Sequence, residues 1–339
     1  MSKKRQNSKK RKSTLLIPVY VVAGVLAVTL VLLLGATALC YASPGEKADE
    51  ASITNPFITT GDALVSAHRS GADIAPENTM MAFRYCVENE EFNVDTFEFD
   101  LHITKDEKLI LLHDDTLDRT TNAKEEFGAE GVKPSEKTYE ELSVLNFGEN
   151  FETPEGEYPY KGLRGDDIPK NLKVVLLEEV LDYLSANGDF TYIIEIKDKG
   201  DQGFKAADEL YRILKEKDLL GKVVFGTFNG DVTKYVDENY PDMLRSSSIA
   251  EVVLFYLAAS YNVDLNNDFI KFDALQIPTN QYGVLMLGSE RVINYAHRNN
   301  VAVQYWTINE EEEIERLNSI GADCIMSDVP DLAYDVIHK

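Results

Sequence analysis

The sequence predicts an α/β fold, a (β/α)8 barrel of the TIM type with a small insertion after its second strand and a transmembrane helix before its first. Two observations predict the barrel. Between residues 63 and 339, eight short apolar runs alternate with helical patterns, as in parallel sheets whose strands are connected by helices. Polar side chains recur where these runs end, at the edge of a barrel that carries its active site. The region has 277 residues, and such a barrel typically needs about 250.

The N-terminal part of the sequence predicts a membrane anchor with a polar segment on each side. Residues 1–14 carry seven basic side chains, whereas residues 15–43 form an uncharged run of 29. A helix needs about 20 apolar residues to cross a bilayer, and the apolar region of a cleaved signal peptide has only roughly 7–15. We therefore predict a cytoplasmic tail, a single-pass anchor over 15–43 and a linker over 44–62. The positive-inside rule places the barrel outside the cell membrane; cleavage after Ala42 and lipidation at Cys40 are the alternatives.

Composition limits the partners and the redox chemistry of the barrel region. Residues 46–339 carry 27 Lys and Arg against 58 Asp and Glu, a net charge of −31. Nucleic acids require a basic face, so this class of partner is excluded. Only Cys86 and Cys324 follow the anchor, which is too few for a disulfide framework. We expect two buried thiols, with one bridge between them as the alternative.

The eight predicted strands are short apolar runs bounded by turn residues. They begin near Ala63, Thr96, Tyr192, Val223, Met243, Ala274, Val301 and Asp323. Between them, the spacing of apolar residues predicts helices. These cover residues 80–90, 174–185, 202–217, 232–239, 249–261, 289–299 and 310–319. Asn78 or Thr79 is expected to cap the first of them.

The second strand is predicted to double back as a hairpin. Phe97 and Phe99 alternate with Glu98 and Asp100, which is typical of a strand with one polar face. A polar turn follows, and the next apolar run ends at His113. Doubling back returns this histidine close to the two carboxylates. An edge hairpin with a solvated polar face is the alternative.

An irregular stretch over residues 116–169 follows the hairpin. It contains many glycines, prolines and aromatic residues and one short helical piece. Loops longer than about 15 residues are uncommon in compact domains unless they are functional. We therefore predict an insertion packed beside the mouth of the barrel, with a plain surface loop as the alternative.

Ionisable side chains at the predicted strand ends indicate a binding site for a cation and an anion. Glu98, Asp100 and Glu195 offer three carboxylates, which suit Ca²⁺ or Mg²⁺ better than zinc. Arg69 and Lys197 bring positive charge to the same mouth, where an anionic ester would be held. The sequence therefore predicts a divalent-cation site beside an anion site.

Six motifs across this region resemble the glycerophosphodiester phosphodiesterase family. They are HRSGADIAPENT (68–79), EFD (98–100), HDDTLDRTTN (113–122), EIK (195–197), WTIN (306–309) and GADCIMSDVP (321–330). The resemblance implies a barrel with an insertion after its second strand, and hydrolysis of glycerophosphodiesters to sn-glycerol 3-phosphate and an alcohol with a divalent ion. Ser70 stands where the family usually has glycine, and residues 324–328, CIMSD, replace the usual GIITD. These departures affect the expected shape of the pocket more than its ligands.

The same resemblance implies a role for each matching residue. His68 and His113 resemble the acid/base pair, Glu98, Asp100 and Glu195 the metal ligands, and Arg69 and Lys197 the phosphate contacts, while Trp306 would line the pocket and Glu77 and Asn78 would support it. Which histidine is the acid, and whether the ion is Ca²⁺ or Mg²⁺, stay open. His102, His297 and His338 are expected to have no catalytic role.

Three functions are compatible with these observations. The first is an anchored, outward-facing phosphodiesterase whose substrate is a deacylated phospholipid, a lysophospholipid or a glycerophosphate polymer of the cell envelope. The second is a barrel that binds envelope components without catalysis, although the complete set of acids and histidines disfavours it. The third is a lipase D that cleaves lysophospholipids or sphingomyelin.

Overall fold

The computed structural model describes residues 21, 22, 24, 27–265, 269–280 and 285–339. Strands and helices alternate through this part of the chain. The strands are β1 (Leu64–Ala67), β2 (Thr96–Ile103), β3 (Leu109–Leu111), β4 (Thr191–Ile196), β5 (Val223–Gly226), β6 (Ala274–Ile277), β7 (Ala302–Tyr305) and β8 (Cys324–Ser327). The helices are α1 (27–42), α2 (Met80–Glu88), α3 (Ala123–Phe127), α4 (Tyr139–Leu142), α5 (Leu177–Asn187), α6 (Gly200–Glu216), α7 (Gly230–Asn239), α8 (Ile249–Tyr261), α9 (Glu290–Arg298), α10 (Glu311–Ser319) and α11 (Pro330–Ile337).

Seven parallel strands of the described chain form a nearly closed barrel. Their order is β5-β4-β2-β1-β8-β7-β6, so that β1 pairs with both β2 and β8 in its centre. Two single parallel bridges, Phe225 with Arg245 and Ser246 with Ala274, connect the outer strands β5 and β6. The predicted barrel class is therefore confirmed.

The fifth predicted strand, near Met243, is reduced to these two bridges, which corrects the prediction of eight full strands. Pro241 precedes it, and Ser248 already caps α8, because its hydroxyl accepts from the backbone N–H of Glu251. Few residues remain extended between these two points. The gap between β5 and β6 is thus closed by two residues instead of a strand.

The alternation in β2 separates an apolar packed face from an acidic face that borders a cavity. Phe97 and Phe99 pack against Phe83 of α2, with ring centroids 5.5 and 5.6 Å away. The residues between and beyond them, Glu98 and Asp100, line a cavity at the other side. All eight residues of β2 are buried, so the alternative of a solvated polar face is wrong.

The predicted hairpin is present as the antiparallel pair β2–β3. Leu101 pairs with Leu111 and Ile103 with Leu109. The backbone N–H of Leu112 donates to the carbonyl of Asp100 at 3.1 Å, one step before His113. The hairpin therefore brings His113 to the level of the acidic pair.

Residues 112–174 pack around a small apolar core of their own beside the hairpin. Leu112, Leu117, Leu142, Phe147 and Val174 are buried in it together with Ile110 of β3. Short helices α3 and α4 lie in this stretch. Phe147, Asn150 and Glu152 line a polar cavity shared with the exit of β1, so the insertion forms part of the barrel mouth.

Both cysteines of the barrel are free and buried. Cys86 lies on α2 under the sheet, and Cys324 begins β8 and packs in the barrel interior against Ile193 and Met326. Burial raises the pKa of both thiols. The prediction of two buried thiols is confirmed and the alternative of a bridge is wrong.

The N-terminal helix packs on the outside of the barrel. Ala36 and Cys40 are its buried residues, and Cys40 Sγ lies 3.3 Å from Ser260 Oγ on α8. No helix within the described residues is long and apolar enough to cross a bilayer. The predicted tail and residues 15–20, 23, 25 and 26 of the predicted anchor lie outside the described residues, so the anchor stays a prediction.

The segment predicted as a linker runs along α9 to the end of the barrel where the strands begin. The carbonyl of Pro44 accepts from the side chain of Asn294 at 2.9 Å. Phe57 and Ile58 are buried there against Val224, Ala274 and Ala302 of three strands. The segment therefore closes this end of the barrel and is not a free spacer.

Candidate active site

A cavity of about 460 Å³ lies at the edge of the barrel where the parallel strands end. Its wall contains most of the residues singled out from the sequence: His68, Arg69, Glu98, Asp100, His113, Glu195, Lys197 and Trp306. Asn78 is buried behind this wall. Glu77 lines the polar cavity beside the insertion, which has a volume of about 500 Å³ and shares His68 and Arg69 with the first cavity. Residues predicted from separate parts of the sequence thus come together around one cavity.

The exit of β1 is a strained turn that is fixed by hydrogen bonds. Arg69 and Ser70 adopt positive φ angles of 49° and 65°, a region that disfavours residues other than glycine. The backbone N–H of Arg69 donates to Glu98 at 2.7 Å, and its carbonyl accepts from the N–H of Asn78 at 3.0 Å. The position of Ser70, where the family usually has glycine, therefore needs the conformation that glycine adopts freely.

Two polar contacts orient the His68 ring. Its Nδ1–H donates to Asp328 at 2.6 Å, and the second oxygen of Asp328 accepts from the side chain of Asn309 at 2.8 Å. The other ring nitrogen, Nε2, lies 3.8 Å from Glu98. Burial acts to lower the pKa of His68, but the Glu98 carboxylate and the bond to Asp328 outweigh it and raise the pKa.

His113 is oriented by a chain of three charged side chains. Its Nδ1–H donates to Asp114 at 2.8 Å, and Arg119 donates two hydrogen bonds to the same carboxylate at 2.6 and 3.0 Å. Arg119 also donates two bonds to Glu77, at 2.8 and 2.7 Å. Bidentate pairs of this kind fix geometry strongly. The bond to Nδ1 leaves Nε2 of His113 as the nitrogen available for proton transfer.

Lys197 bridges two of the three carboxylates. Its Nζ lies 2.9 Å from Asp100 and 2.9 Å from Glu195. Asn78 donates to the other oxygen of Asp100 at 3.0 Å. Burial would raise the pKa of Asp100, but the ammonium group of Lys197 outweighs burial, and the pKa is lowered. Asp100 is therefore held as a carboxylate.

The third carboxylate, Glu98, is not one of the two that Lys197 contacts. Burial, reinforced by the charge of Asp100, raises the pKa of Glu98. Burial also raises the pKa of Glu195 in spite of its contact with Lys197. Two of the three buried acids thus hold their protons more tightly than an exposed carboxyl does, because the contacts of Lys197 do not offset their burial.

As they stand, no three His, Cys, Asp or Glu side chains within the described residues come together in a group that would hold a metal ion. The ammonium group of Lys197 contacts both Asp100 and Glu195. The donors themselves are carboxylate oxygens, which Ca²⁺ and Mg²⁺ prefer. The donor set therefore fits a hard divalent ion, provided that the ammonium group moves aside.

The far half of the same cavity is apolar. Phe228 follows β5, Val252 and Val253 belong to α8, and Leu285 lies near the end of the loop after β6. Trp306 closes this half, with its ring edge-on to Phe228 at a centroid distance of 6.0 Å. The cavity therefore has a charged end and an apolar end.

The sequence analysis assigned no role to four residues that complete the charged end. Asp328 and Asn309 orient His68, whereas Asp114 and Arg119 orient His113. All four stand inside the quoted motifs WTIN, GADCIMSDVP and HDDTLDRTTN. A carboxylate directly after the last strand and a second one next to His113 were the signals that could have indicated them.

Sequence comparison relates the chain to known proteins. The sequence model of the glycerophosphoryl diester phosphodiesterase family matches residues 68–332. The chain is 26% identical over 280 residues to the glycerophosphodiester phosphodiesterase of Caldanaerobacter subterraneus, an alignment that covers 81% of this chain and 98% of the relative. It is 24% identical over 299 residues to the human lysophospholipase D GDPD1, covering 80% of this chain and 85% of that one.

Solved structures share the fold. A phosphodiesterase of Oleispira antarctica, solved with the product sn-glycerol-3-phosphate, superposes with a TM-score of 0.59 at 20% identity, covering 82% of this chain and 98% of that one. A glycerophosphodiester phosphodiesterase of Parabacteroides distasonis gives a TM-score of 0.58 at 19% identity, with 83% and 98% covered. At this level of identity, the likeness establishes the barrel fold alone.

Proposed function

Because the chain belongs to the glycerophosphoryl diester phosphodiesterase family, we propose that it hydrolyses glycerophosphodiesters to sn-glycerol 3-phosphate and an alcohol, with His68 and His113 as its acid and base. Membership of the family makes it a phosphodiesterase. The identity of the proton-transfer groups and the use of a metal ion are our proposals from the site.

The pairing of each histidine with a carboxylate is the observation that carries the proposal. His68 donates through Nδ1 to Asp328, and His113 donates through Nδ1 to Asp114. Both rings line the same cavity. A carboxylate on Nδ1 fixes the tautomer and directs Nε2 to the reacting atoms. Two such histidines can move one proton to the site and another away from it.

Hydrolysis of a phosphodiester needs both transfers. One histidine takes the proton from the nucleophile, which is water or a neighbouring hydroxyl of the substrate's glycerol. A new O–P bond forms, the O–P bond to the alcohol breaks, and the other histidine gives this alcohol its proton. When the nucleophile is the hydroxyl, water then opens the cyclic phosphate.

Positive charge must balance the phosphate as the new bond forms. Arg69 has an Nε–H without a hydrogen-bond partner in the described part of the chain, and the side chain lines the cavity. Lys197 supplies the second charge. Glu98, Asp100 and Glu195 would hold a Ca²⁺ or Mg²⁺ ion, which supplies Lewis-acid chemistry when bound. The convergence of these three carboxyl groups on one cavity supports this assignment.

Product release tests the proposal directly. The full-length protein, purified in detergent, is incubated with glycerophosphocholine, and sn-glycerol 3-phosphate is measured by a coupled enzyme assay. We expect release that EDTA abolishes and that either Ca²⁺ or Mg²⁺ restores. Release that persists in EDTA would refute the metal ion, and no release with any ion would refute the hydrolysis of this substrate class.

We further propose that residues 15–43 anchor the protein in the cell membrane with the barrel outside. The uncharged run of 29 residues after seven basic side chains supports this proposal. Protease added to intact cells should degrade the barrel, and the protein should sediment with membranes after washing with carbonate. A barrel that is protected until the cells are opened would contradict the orientation.

A further inference from the structure

The outward side of helix α8 is apolar. Ala250, Leu254, Leu257 and Tyr261 follow one another at the spacing that places residues on one side of a helix. Leu254 is 50% and Tyr261 39% exposed, and Val263, just after the helix, is exposed as well. We call these five residues the apolar face.

The outward sides of α6 and α10 are charged instead. Their exposed side chains include Lys205, Asp208, Arg212 and Lys215 on α6, and Glu311, Glu312 and Glu315 on α10. Residues 249–263 contain a single charged side chain, Glu251, and Arg245 pairs with it at 3.0 Å. Because a helix that faces water carries polar residues outside, the apolar face indicates contact with an apolar partner.

Helix α1, which belongs to the proposed membrane anchor, lies against the end of α8. The hydroxyl of Tyr261 donates to the carbonyl of Leu32 at 2.8 Å. A Cβ atom on Gly35 would lie 2.5 Å from that hydroxyl, so the glycine permits the close approach. Leu34, beside this contact, is 56% exposed. The apolar face therefore adjoins apolar side chains of the proposed anchor.

The length of the proposed anchor determines how far the bilayer reaches along it. Residues 15–31 precede the contact with Tyr261, and these 17 residues would cover about 25 Å as a helix. The hydrocarbon core of a bilayer is about 30 Å thick. An anchor that crosses this core is therefore still inside it at Leu32, at the level of the Tyr261 hydroxyl. Tyrosine is enriched where the hydrocarbon meets the headgroups.

From this arrangement we propose that the apolar face binds the surface of the lipid bilayer on the side where the barrel lies. A helix docked in this way enters the boundary between acyl chains and headgroups by about 5–10 Å. The charge of the protein supports this occupant. Residues 46–339 carry a net charge of −31, and anionic lipids repel acidic surfaces, so that an uncharged face approaches most easily. The inference rests on the proposed anchoring and adds which face of the barrel meets the lipid.

Quenching by spin-labelled lipids tests the contact in the full-length protein, reconstituted in phosphatidylcholine vesicles. Trp306, the chain's single tryptophan, is replaced by phenylalanine, and one new tryptophan serves as the reporter. We expect a nitroxide near the carbonyl end of the acyl chain to quench the emission of Leu254→Trp more than a nitroxide at the chain tip does, because a docked helix lies about 5–10 Å deep. Glu312→Trp, on the exposed side of α10, is the matched control and should show no quenching. Val263→Trp replaces Leu254→Trp if that variant does not fold.

A charge on the apolar face provides a second test. Leu254→Asp should reduce the quenching of Val263→Trp, because an ionised carboxylate enters an apolar environment only at a large free-energy cost. Ala186→Asp, at an exposed position of α5, introduces the same charge elsewhere and should leave the quenching unchanged. Equal quenching in these two variants would contradict the inference.

A carbonate wash of the same vesicles distinguishes failure of the apolar face from failure of the anchor. Protein that resists the wash while Leu254→Trp and Val263→Trp stay unquenched would refute the apolar face and leave the anchoring intact. Quenching in a protein that carbonate removes would support the face and refute a spanning anchor, and absence of both would refute both. Emission at shorter wavelength without quenching, together with cross-linking of two copies, would indicate that a second copy covers the face and would overturn the inference. Release of sn-glycerol 3-phosphate by the wild-type protein decides the proposed hydrolysis independently of these results.

Discussion

The ammonium group of Lys197 lies 2.9 Å from a carboxylate oxygen of Asp100, a side chain that is only 1% exposed. The contact places the positive charge of the ammonium group where a divalent cation is proposed to bind. The proposed ion would therefore compete with Lys197 for the oxygens of Asp100 and Glu195, which the ammonium group contacts.

Replacement of Lys197 by methionine should make the fold depend on the ion. Without the ammonium group, three buried acids repel one another, and loss of one partner of a buried pair costs about 3–5 kcal/mol. We expect Lys197→Met to unfold at lower urea concentration in EDTA and to regain stability with Ca²⁺ or Mg²⁺. Lys199→Met, at an exposed position nearby, is the matched control. Equal stability of Lys197→Met with and without ions would contradict the shared site.

His113→Ala should lower kcat by about 10²–10⁴-fold, because it removes one of the two proton-transfer groups. The side chain is partly exposed, so the melting temperature should change little. Turnover of glycerophosphocholine and thermal unfolding are measured together on the same sample. His338→Ala, near the C-terminus, should behave as wild type. Near-normal turnover of His113→Ala would refute its role.

Arg119→Gln should lower kcat by roughly tenfold while KM stays nearly constant. The arginine contacts Asp114 and Glu77 and does not contact His113, so its loss releases the carboxylate that orients the ring. Misplaced catalytic groups cost rate more than binding. Arg84→Gln, which removes an exposed pair with Glu88, is the control. A change confined to KM would indicate that Arg119 binds substrate instead.

Glu251→Gln should destabilise the barrel in a pH-dependent manner. Burial would raise the pKa of Glu251, but Arg245 and the backbone of Ser248 outweigh it, so the folded pKa is lowered. The stabilisation is therefore complete above the ordinary pKa, about 4.3, and is lost as pH falls through the lowered value. We expect a loss of roughly 2 kcal/mol at neutral pH.

Urea unfolding at several pH values checks this expectation. The difference between wild type and Glu251→Gln should stay constant from neutral pH down to about pH 5 and shrink at lower pH. Glu238→Gln, whose carboxylate is an exposed partner of Lys234, provides the comparison. A difference that grows on acidification would contradict the direction of the pKa shift.

The barrel and most of the charged end could be predicted from local patterns. Alternation in β2 identifies a face that carries Glu98 and Asp100, and the end of a strand identifies where His68 emerges. These features depend on residues close in sequence, and the barrel then gathers them at one edge. The family motifs added the pairing of the two histidines.

Other features depend on contacts between distant segments. The hydrogen bond from His68 to Asp328 joins the end of the first strand to the end of the last. No periodic pattern of residues in the sequence indicates this contact. The strand near Met243 shrinks to two bridges because Pro241 and the cap of α8 limit it from both sides. Phe57 and Ile58 lie in a polar segment, so their burial under the barrel follows from the fold and not from the local pattern.

The course of residues 43–59 has a mechanical consequence. This segment is fastened to the barrel along its length, by Ser43 to Arg291, by Asn55 to Asp273 and by Thr59 to Asp323. A protein anchored in a bilayer through such a segment lacks a flexible tether. Under the proposed anchoring, the barrel would therefore keep one orientation towards the bilayer and could not sample distant surfaces. The rate with a lipid substrate would then follow the surface density of that lipid more closely than its bulk concentration.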